Sequence, residues 1–205
     1  MEAHEAHEIG DTIAEGGEEA HADASFRRVA AVVLGVMAML LAIASLFGEA
    51  AMKDTINFNI KASDTYAFYQ AKNERQTSIA LAADQLTALA AANPDWPASA
   101  RAGVDKLVAD YRATVARYET DPKTNEGKKE LLQRARAYEE KRDRAQHEDS
   151  NYDYARALFQ IAIVLGSVSI VAISRPLLWL GCGLAGVALL FALNGYFLFV
   201  TLPLE

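Results

Sequence analysis

The residues that could bind a metal ion are clustered at the start of the chain. The segment MEAHEAHEIG repeats Glu-Ala-His, and three of the four histidines of the protein lie within residues 1–28. If residues 2–8 form a helix, His4, His7 and Glu8 share one face and present donors that suit Zn²⁺ or Ni²⁺. The histidines are three residues apart, not the four of H-E-x-x-H. We expect residues 1–28, with their eight acids, to be a disordered acidic tail, and metal sensing by these three residues is the alternative.

A glycine pattern near the C-terminus resembles a dinucleotide-binding fingerprint. Residues 181–186 read GCGLAG, which matches G-x-G-x-x-G, but that motif requires a preceding strand and a solvent-open helix N-terminus. Here it lies inside an uncharged run, so we expect no cofactor. We predict instead that Gly181 and Ala185, four residues apart, allow close packing of a membrane helix, as does Gly35 in the first apolar run. Asn194 is predicted to form an interhelical hydrogen bond.

The sequence contains no pattern that predicts catalysis. His147 has no nucleophile near it in sequence, and no set of serine, cysteine or carboxylate residues has the spacing of a catalytic site. The middle of the chain has a mixed, nearly balanced charge, without a basic stripe interleaved with aromatics, so we expect no nucleic-acid partner. The single cysteine, Cys182, excludes an intramolecular disulfide. We therefore expect a protein that is not an enzyme.

The chain has three uncharged runs, and the packing residues named above lie within the first and the third of them. The run from Val29 to Phe47 is 19 residues long and would span ~28 Å as a helix, close to the thickness of a bilayer's hydrocarbon core. Two further runs cover residues 157–173 and 177–202, with Ser174, Arg175 and Pro176 between them. We predict three transmembrane helices, at residues 29–47, 156–174 and 177–202.

The region between the first two runs, residues 48–155, shows helical periodicity and no strand alternation. Two breaks with turn chemistry, at residues 93–97 and 120–127, divide it into predicted helices at about 49–92, 97–119 and 127–155. Each helix carries an apolar stripe. The stripe of the middle helix contains Val104, Val108, Tyr111, Val115 and Tyr118. We predict an all-α membrane protein with an antiparallel, coiled-coil-like three-helix bundle outside the membrane, between the first and second spans.

Three aromatic residues stand close together in the first of these helices. Tyr66 and Tyr69 share a helix face, whereas Phe68 points about 100° away from Tyr69. One face can pack against the other two helices of the bundle, and the other then needs a second partner, most simply another copy of the chain. A wide core that buries all three is the alternative. We take Tyr66, Phe68 and Tyr69 as a candidate interaction surface.

Three segments of the chain resemble a known protein family. They are the EAHE-type N-terminus, the block SDTYAFYQAK at residues 63–72 and the block EGKKEL at residues 126–131. The chain resembles bacterial inner-membrane proteins that are grouped under the domain of unknown function 4337. The resemblance covers nearly the whole length and implies a long helical insert after the first span, a closing pair of spans and a bacterial membrane location. It implies no activity and no functional residues.

The flanking charges predict a topology. Arg27 and Arg28 precede the first span and Arg175 lies between the second and third, so three spans place all of them on one side, which the positive-inside rule makes cytoplasmic. The bundle is then periplasmic.

The predicted function is a non-enzymatic, oligomeric membrane scaffold or accessory subunit that contacts the lipid bilayer, further copies of itself and an envelope protein. A small oligomeric channel or tension-responsive pore is the alternative.

Overall fold

The fold consists of helices joined by short turns. A computed structural model of the chain describes the backbone of residues 2–201 and the side chains of residue 21 and residues 23–201. The helices are α1 (Glu2–Ala92), α2 (Ala98–Glu119), α3 (Lys128–Ala172) and α4 (Arg175–Phe197). Residues 2–201 contain no strand. The predicted all-α class is therefore confirmed for the part of the chain that the structure describes.

Three of the helices contain a stretch that is long and apolar enough to cross a membrane. They are α1 within Asp23–Ala92, α3 and α4, as judged by length and composition. Helices α1 and α3 also run on without interruption beyond their apolar stretches. The bundle segments predicted at about 49–92 and 127–155 are continuous with the neighbouring apolar stretches in α1 and α3, because no proline stands at either junction and Gly48 alone does not end the helix.

The chain divides into two compact units, of which the first combines Met1–Lys53 with Ala145–Glu205 and is called here the apolar unit. Its buried side chains form one cluster, in which Phe159 of α3 is fully buried. On α1 four of the buried positions recur every seven residues, which keeps them on one face of the helix. These positions are Ala30, Met37, Ala44 and Ala51.

A tight turn joins α3 to α4 in the apolar unit. Ile173 adopts a left-handed conformation with φ of 49°, and the amide of Ser174 donates a hydrogen bond to the carbonyl of Ser169 at 3.0 Å. Pro176 lies in the first turn of α4, where its missing N–H costs no hydrogen bond. The turn therefore ends one helix and starts the next within two residues.

The second unit, called here the central unit, comprises Asp54–Arg144 and contains the end of α1, all of α2 and the start of α3. Its core is thin. Among its residues only Ala62, Ala83, Leu131 and Ala135 are buried apolar side chains, and α2 has no buried residue. Alanine favours helix and lets helices approach closely, but it buries little apolar area.

The turn between α2 and α3 leaves no room for a side chain at Gly127. A Cβ atom there would lie 2.4 Å from the amide nitrogen of Asp121, which is backbone and cannot move aside easily. Glu130 closes the turn, since its carboxylate accepts hydrogen bonds from the Thr120 hydroxyl at 2.6 Å and from the Asp121 amide at 3.3 Å. The first turn of α3 is thereby fixed to the end of α2.

The predicted acidic tail lies largely outside the described side chains. The side chains of residues 1–20 and of Ala22 are not described, whereas the backbone of residues 2–28, for which a disordered tail was predicted, forms the start of α1. Within the described part, Phe26 is buried on α1.

The turn at Glu130 should weaken in acid. The hydrogen bond from Thr120 is the main cause that holds the pKa of Glu130 below its ordinary value. Its stabilising contribution is therefore present above the pKa of the unfolded chain, about 4.3, and is lost as the pH falls through the lower folded pKa. We expect hydrogen exchange of residues 120–131, corrected for intrinsic rates, to rise between about pH 6 and about pH 3. In Glu130→Gln this pH dependence should become smaller but not vanish, because the hydrogen bond from Thr124 also lowers the pKa of Asp121 in the same turn; an unchanged dependence would contradict the assignment.

Candidate interaction surface

Two of the three aromatic residues of the candidate surface point into the central unit. Both Tyr66 and Tyr69 are half-buried. The Tyr66 hydroxyl donates a 2.9 Å hydrogen bond to the carboxylate of Glu139 on α3, and this bond raises the pKa of the phenol because it favours the protonated form. The ammonium group of Lys128 lies 5.7 Å from the centre of the Tyr69 ring, a cation–π contact. Helix α3 therefore contacts both tyrosines.

The third aromatic residue, Phe68, remains 40% exposed. The ammonium group of Lys72 lies 5.1 Å from its ring centre and 5.7 Å from that of Tyr118 on α2. Lys72 also forms a 3.6 Å ion pair with Glu126 and donates to the carbonyl of that residue. These contacts hold the Lys72 ammonium group in place. Phe68 is therefore an exposed aromatic ring beside a fixed positive charge.

Gln76 joins the three helical segments of the central unit. Its side-chain amide donates to the carbonyl of Val115 at 3.0 Å and to the carboxylate of Glu119 at 3.3 Å, both on α2. Its oxygen accepts from Lys128 on α3 at 2.8 Å, and Lys128 pairs with Glu119 at 3.4 Å. Sequence reasoning did not single out this residue. The signal was present, since a glutamine interrupts the apolar stripe of α1 at a position that faces the other helices.

In the apolar unit, Gly181 and Ala185 lie where α4 packs on α3. Both are buried. A Cβ atom at Gly181 would lie 3.1 Å from the carbonyl oxygen of Ala162, so the two helix backbones approach closely there. The other two glycines of the GCGLAG segment, Gly183 and Gly186, have open space instead. The segment lies inside α4 and is preceded by a helix and a turn, so it lacks the strand that a dinucleotide site requires.

We predicted that Gly35 packs against another span, but no other span lies close to it in the structure. A Cβ atom at this position would meet nothing within 4 Å. The reason is the register of α1, whose buried face follows Ala30, Met37 and Ala44 and leaves Gly35 on the exposed side. Within one chain, Gly35 is therefore not a packing residue.

Asn194 forms the hydrogen bonds that its position in an apolar run predicts. Its amide nitrogen donates to the side-chain oxygen of Asn151 on α3 at 2.8 Å and to the carbonyl of Val200 at 2.8 Å. Its oxygen accepts from the amide of Val200 at 2.9 Å. Asn151 is fully buried and also donates to the carbonyl of His147 at 2.8 Å. This pair connects the end of α4 to α3.

Tyr152 packs against two glycines, an arrangement that sequence reasoning did not predict. A Cβ atom at Gly195 of α4 would come within 3.0 Å of the ring, and one at Gly48 of α1 within 3.1 Å of the Cβ of Tyr152. Phe47 stacks on the same ring with centroids 5.9 Å apart. Neither glycine stands in a motif, so only the three-dimensional approach of the helices shows their role.

The candidate metal ligands are not among the described side chains. His4, His7 and Glu8 all fall within residues 1–20, so the structure says nothing about their arrangement. Among the side chains that are described, no group of three or more histidine, cysteine, aspartate or glutamate residues is placed to hold a metal ion.

Gly181→Val should loosen the contact between α3 and α4. The added side chain must displace the backbone of α3, and overpacking of this kind costs about 1–3 kcal/mol. Thermal unfolding in detergent, followed by circular dichroism, measures the effect. Gly183→Val is the matched control, because its Cβ meets no neighbour. Equal midpoints for the two variants would show that the close approach at Gly181 contributes nothing.

Asn194→Leu should destabilise the apolar unit by about 1–3 kcal/mol, because it leaves the buried oxygen of Asn151 without its donor. The double variant Asn151→Leu with Asn194→Leu should recover part of this loss in the same unfolding measurement, since the buried side-chain oxygen of Asn151 is then gone, while the bonds to Val200 are lost in both variants. Strictly additive losses would mean that the two asparagines do not act as a pair.

One family is similar to the chain over most of its length. Residues 26–198 match the family described as Domain of unknown function (DUF4337). No curated protein and no solved structure matches the chain. The match spans both compact units and leaves out most of the acidic N-terminal segment. Because it covers far more than half of the sequence, the chain belongs to the family that shares this domain of unknown function.

Proposed function

We propose that the protein is a multi-pass membrane protein whose central unit acts as a non-enzymatic scaffold or accessory subunit in an oligomer. The exposed side chains of the apolar unit support membrane insertion. Val171 is 83% exposed and Trp179 is 76% exposed, and many further aliphatic residues of α1, α3 and α4 are also exposed. Apolar surface in water costs roughly 25 cal/mol per Å², whereas lipid tails cover it without this cost.

The charges at the helix ends support one orientation. Arg27 and Arg28 precede the apolar stretch of α1, and Arg175 begins α4. Three crossings place these arginines on a single side, and the positive-inside rule assigns that side to the cytoplasm. The proposed location is the inner membrane of a bacterium, with the N-terminus in the cytoplasm and the central unit, an antiparallel three-helix bundle, in the periplasm.

The exposure of Phe68 carries the scaffold proposal. Its neighbours Tyr66 and Tyr69 are engaged by Glu139 and Lys128, whereas the Phe68 ring keeps a free surface. An aromatic ring beside a fixed cation suits a protein interface, where aromatic residues are enriched. The open space around Gly35 supports self-association, since it lets the helix of a second copy approach α1 closely.

A photo-crosslinking amino acid at position 68 tests the scaffold. We expect irradiation of native membranes to join the protein to a second copy or to one envelope protein. Leu81 is the matched control, because it lies on the same helix and is more exposed, at 57%. Capture of monomer alone at position 68, or the same diffuse products from both positions, would contradict the proposal.

The alternative function, a pore, predicts a different result in a flux measurement. A channel predicts ion flux through the purified protein in liposomes, and a scaffold predicts none. A protein that conducts ions and yields no adduct at position 68 would require the channel in place of the scaffold.

A further inference from the structure

We propose that one acyl chain of a bilayer phospholipid occupies a slot in the apolar unit, between α1 and α4. The slot has a volume of about 220 Å³. Its floor is formed by Tyr152 and Phe159 of α3, and its walls contain Ile43 of α1 and Leu193 of α4. This inference rests on the proposed membrane insertion, but it does not depend on the scaffold role of the central unit.

The lining selects a hydrocarbon. Apart from the hydroxyls of Tyr152 and Tyr196, the side chains around the slot are aliphatic or phenyl groups. A bound water needs two to four polar partners, and apolar cavities without them stay dry. Away from the two tyrosine hydroxyls, the lining offers water no hydrogen-bond partner and favours a ligand that needs none.

The volume of the slot suits a lipid acyl chain and is too small for a whole helix. An apolar cavity of ~150 Å³ holds benzene, so in proportion the slot takes roughly nine carbon atoms. A helix with side chains is about 10–12 Å across, which is too wide for this volume. Ile43 and Leu193 are 43% and 45% exposed, so the slot opens to the surroundings and a chain can enter from the side.

Aromatic residues at one end of the slot indicate the orientation of the bound acyl chain. Phe47, Tyr152 and Tyr196 lie together at one end, with the rings of Phe47 and Tyr196 6.3 Å apart. Leu40 lies seven residues earlier on α1, roughly 10 Å deeper along the helix. Tyrosine rings prefer the level of the lipid headgroups, so the ester end of the lipid belongs at the aromatic end and the chain runs toward Leu40.

A lipid carrying a diazirine in its acyl chain tests the slot. The full-length protein is reconstituted with this phospholipid, irradiated and mapped by mass spectrometry. We expect adducts to concentrate in residues 40–47 and 189–196. Ala192→Phe, which fills the slot, should reduce them at least fivefold, as should Leu193→Trp if the first variant folds poorly. Ala38→Phe is the matched control, since Ala38 is exposed on the opposite side of α1, and it should leave the adducts unchanged.

The possible outcomes separate the slot from ordinary lipid contact and from the scaffold. Adducts spread evenly over exposed positions such as Val36, Val171 and Leu190, and unaffected by the slot-filling variants, would mean annular lipid only and would overturn the inference. Labelling by a diazirine fatty acid with none by the phospholipid would also overturn it. Neither result affects crosslinking at position 68, whereas a protein that a carbonate wash releases from membranes would contradict both proposals.

Discussion

Tyr152 packs closely against two glycines, and several features of the apolar unit lie around this contact. With hydrogen atoms at positions 48 and 195, α1 and α4 both approach α3 at the same level. The preceding residue of α3, Asn151, is fully buried and accepts a hydrogen bond from Asn194. The same close approach leaves Tyr152 and Phe159 as the floor of the slot. A side chain at either glycine would first have to displace Tyr152, which lines the slot and follows Asn151 in the chain.

The helices of the central unit are held together by a different kind of contact. Its buried side chains are mostly alanines, so polar and cation–π contacts set the positions of its helices. Gln76 and Lys128 connect all three segments, and Lys72 connects Phe68, Tyr118 and the turn before α3. Each such contact is worth little on an exposed surface. Together they define which helix faces meet, because alanine faces alone would fit in several registers.

The sequence allowed the class and the family to be predicted, and both are confirmed. Uncharged runs reveal apolar helices directly, because length and charge are enough to recognise them. The register of a helix is harder to predict, as Gly35 shows: small residues recur on two faces of α1, and only the packing shows that the buried face follows Ala30 and Met37. The stripes of their helices include Gln76 and Tyr152, but the contacts of these residues were not predicted, since they involve partners 39 and 43 or more positions away in the chain.

The scarcity of large buried side chains in the central unit has a thermodynamic consequence. The heat capacity change of unfolding follows the apolar area that becomes exposed. Only four of its apolar side chains are fully buried, and three of them are alanines, so fully buried groups contribute little to this change. We therefore expect the curve of stability against temperature to be flatter for this unit than for a domain of the same length with a large core.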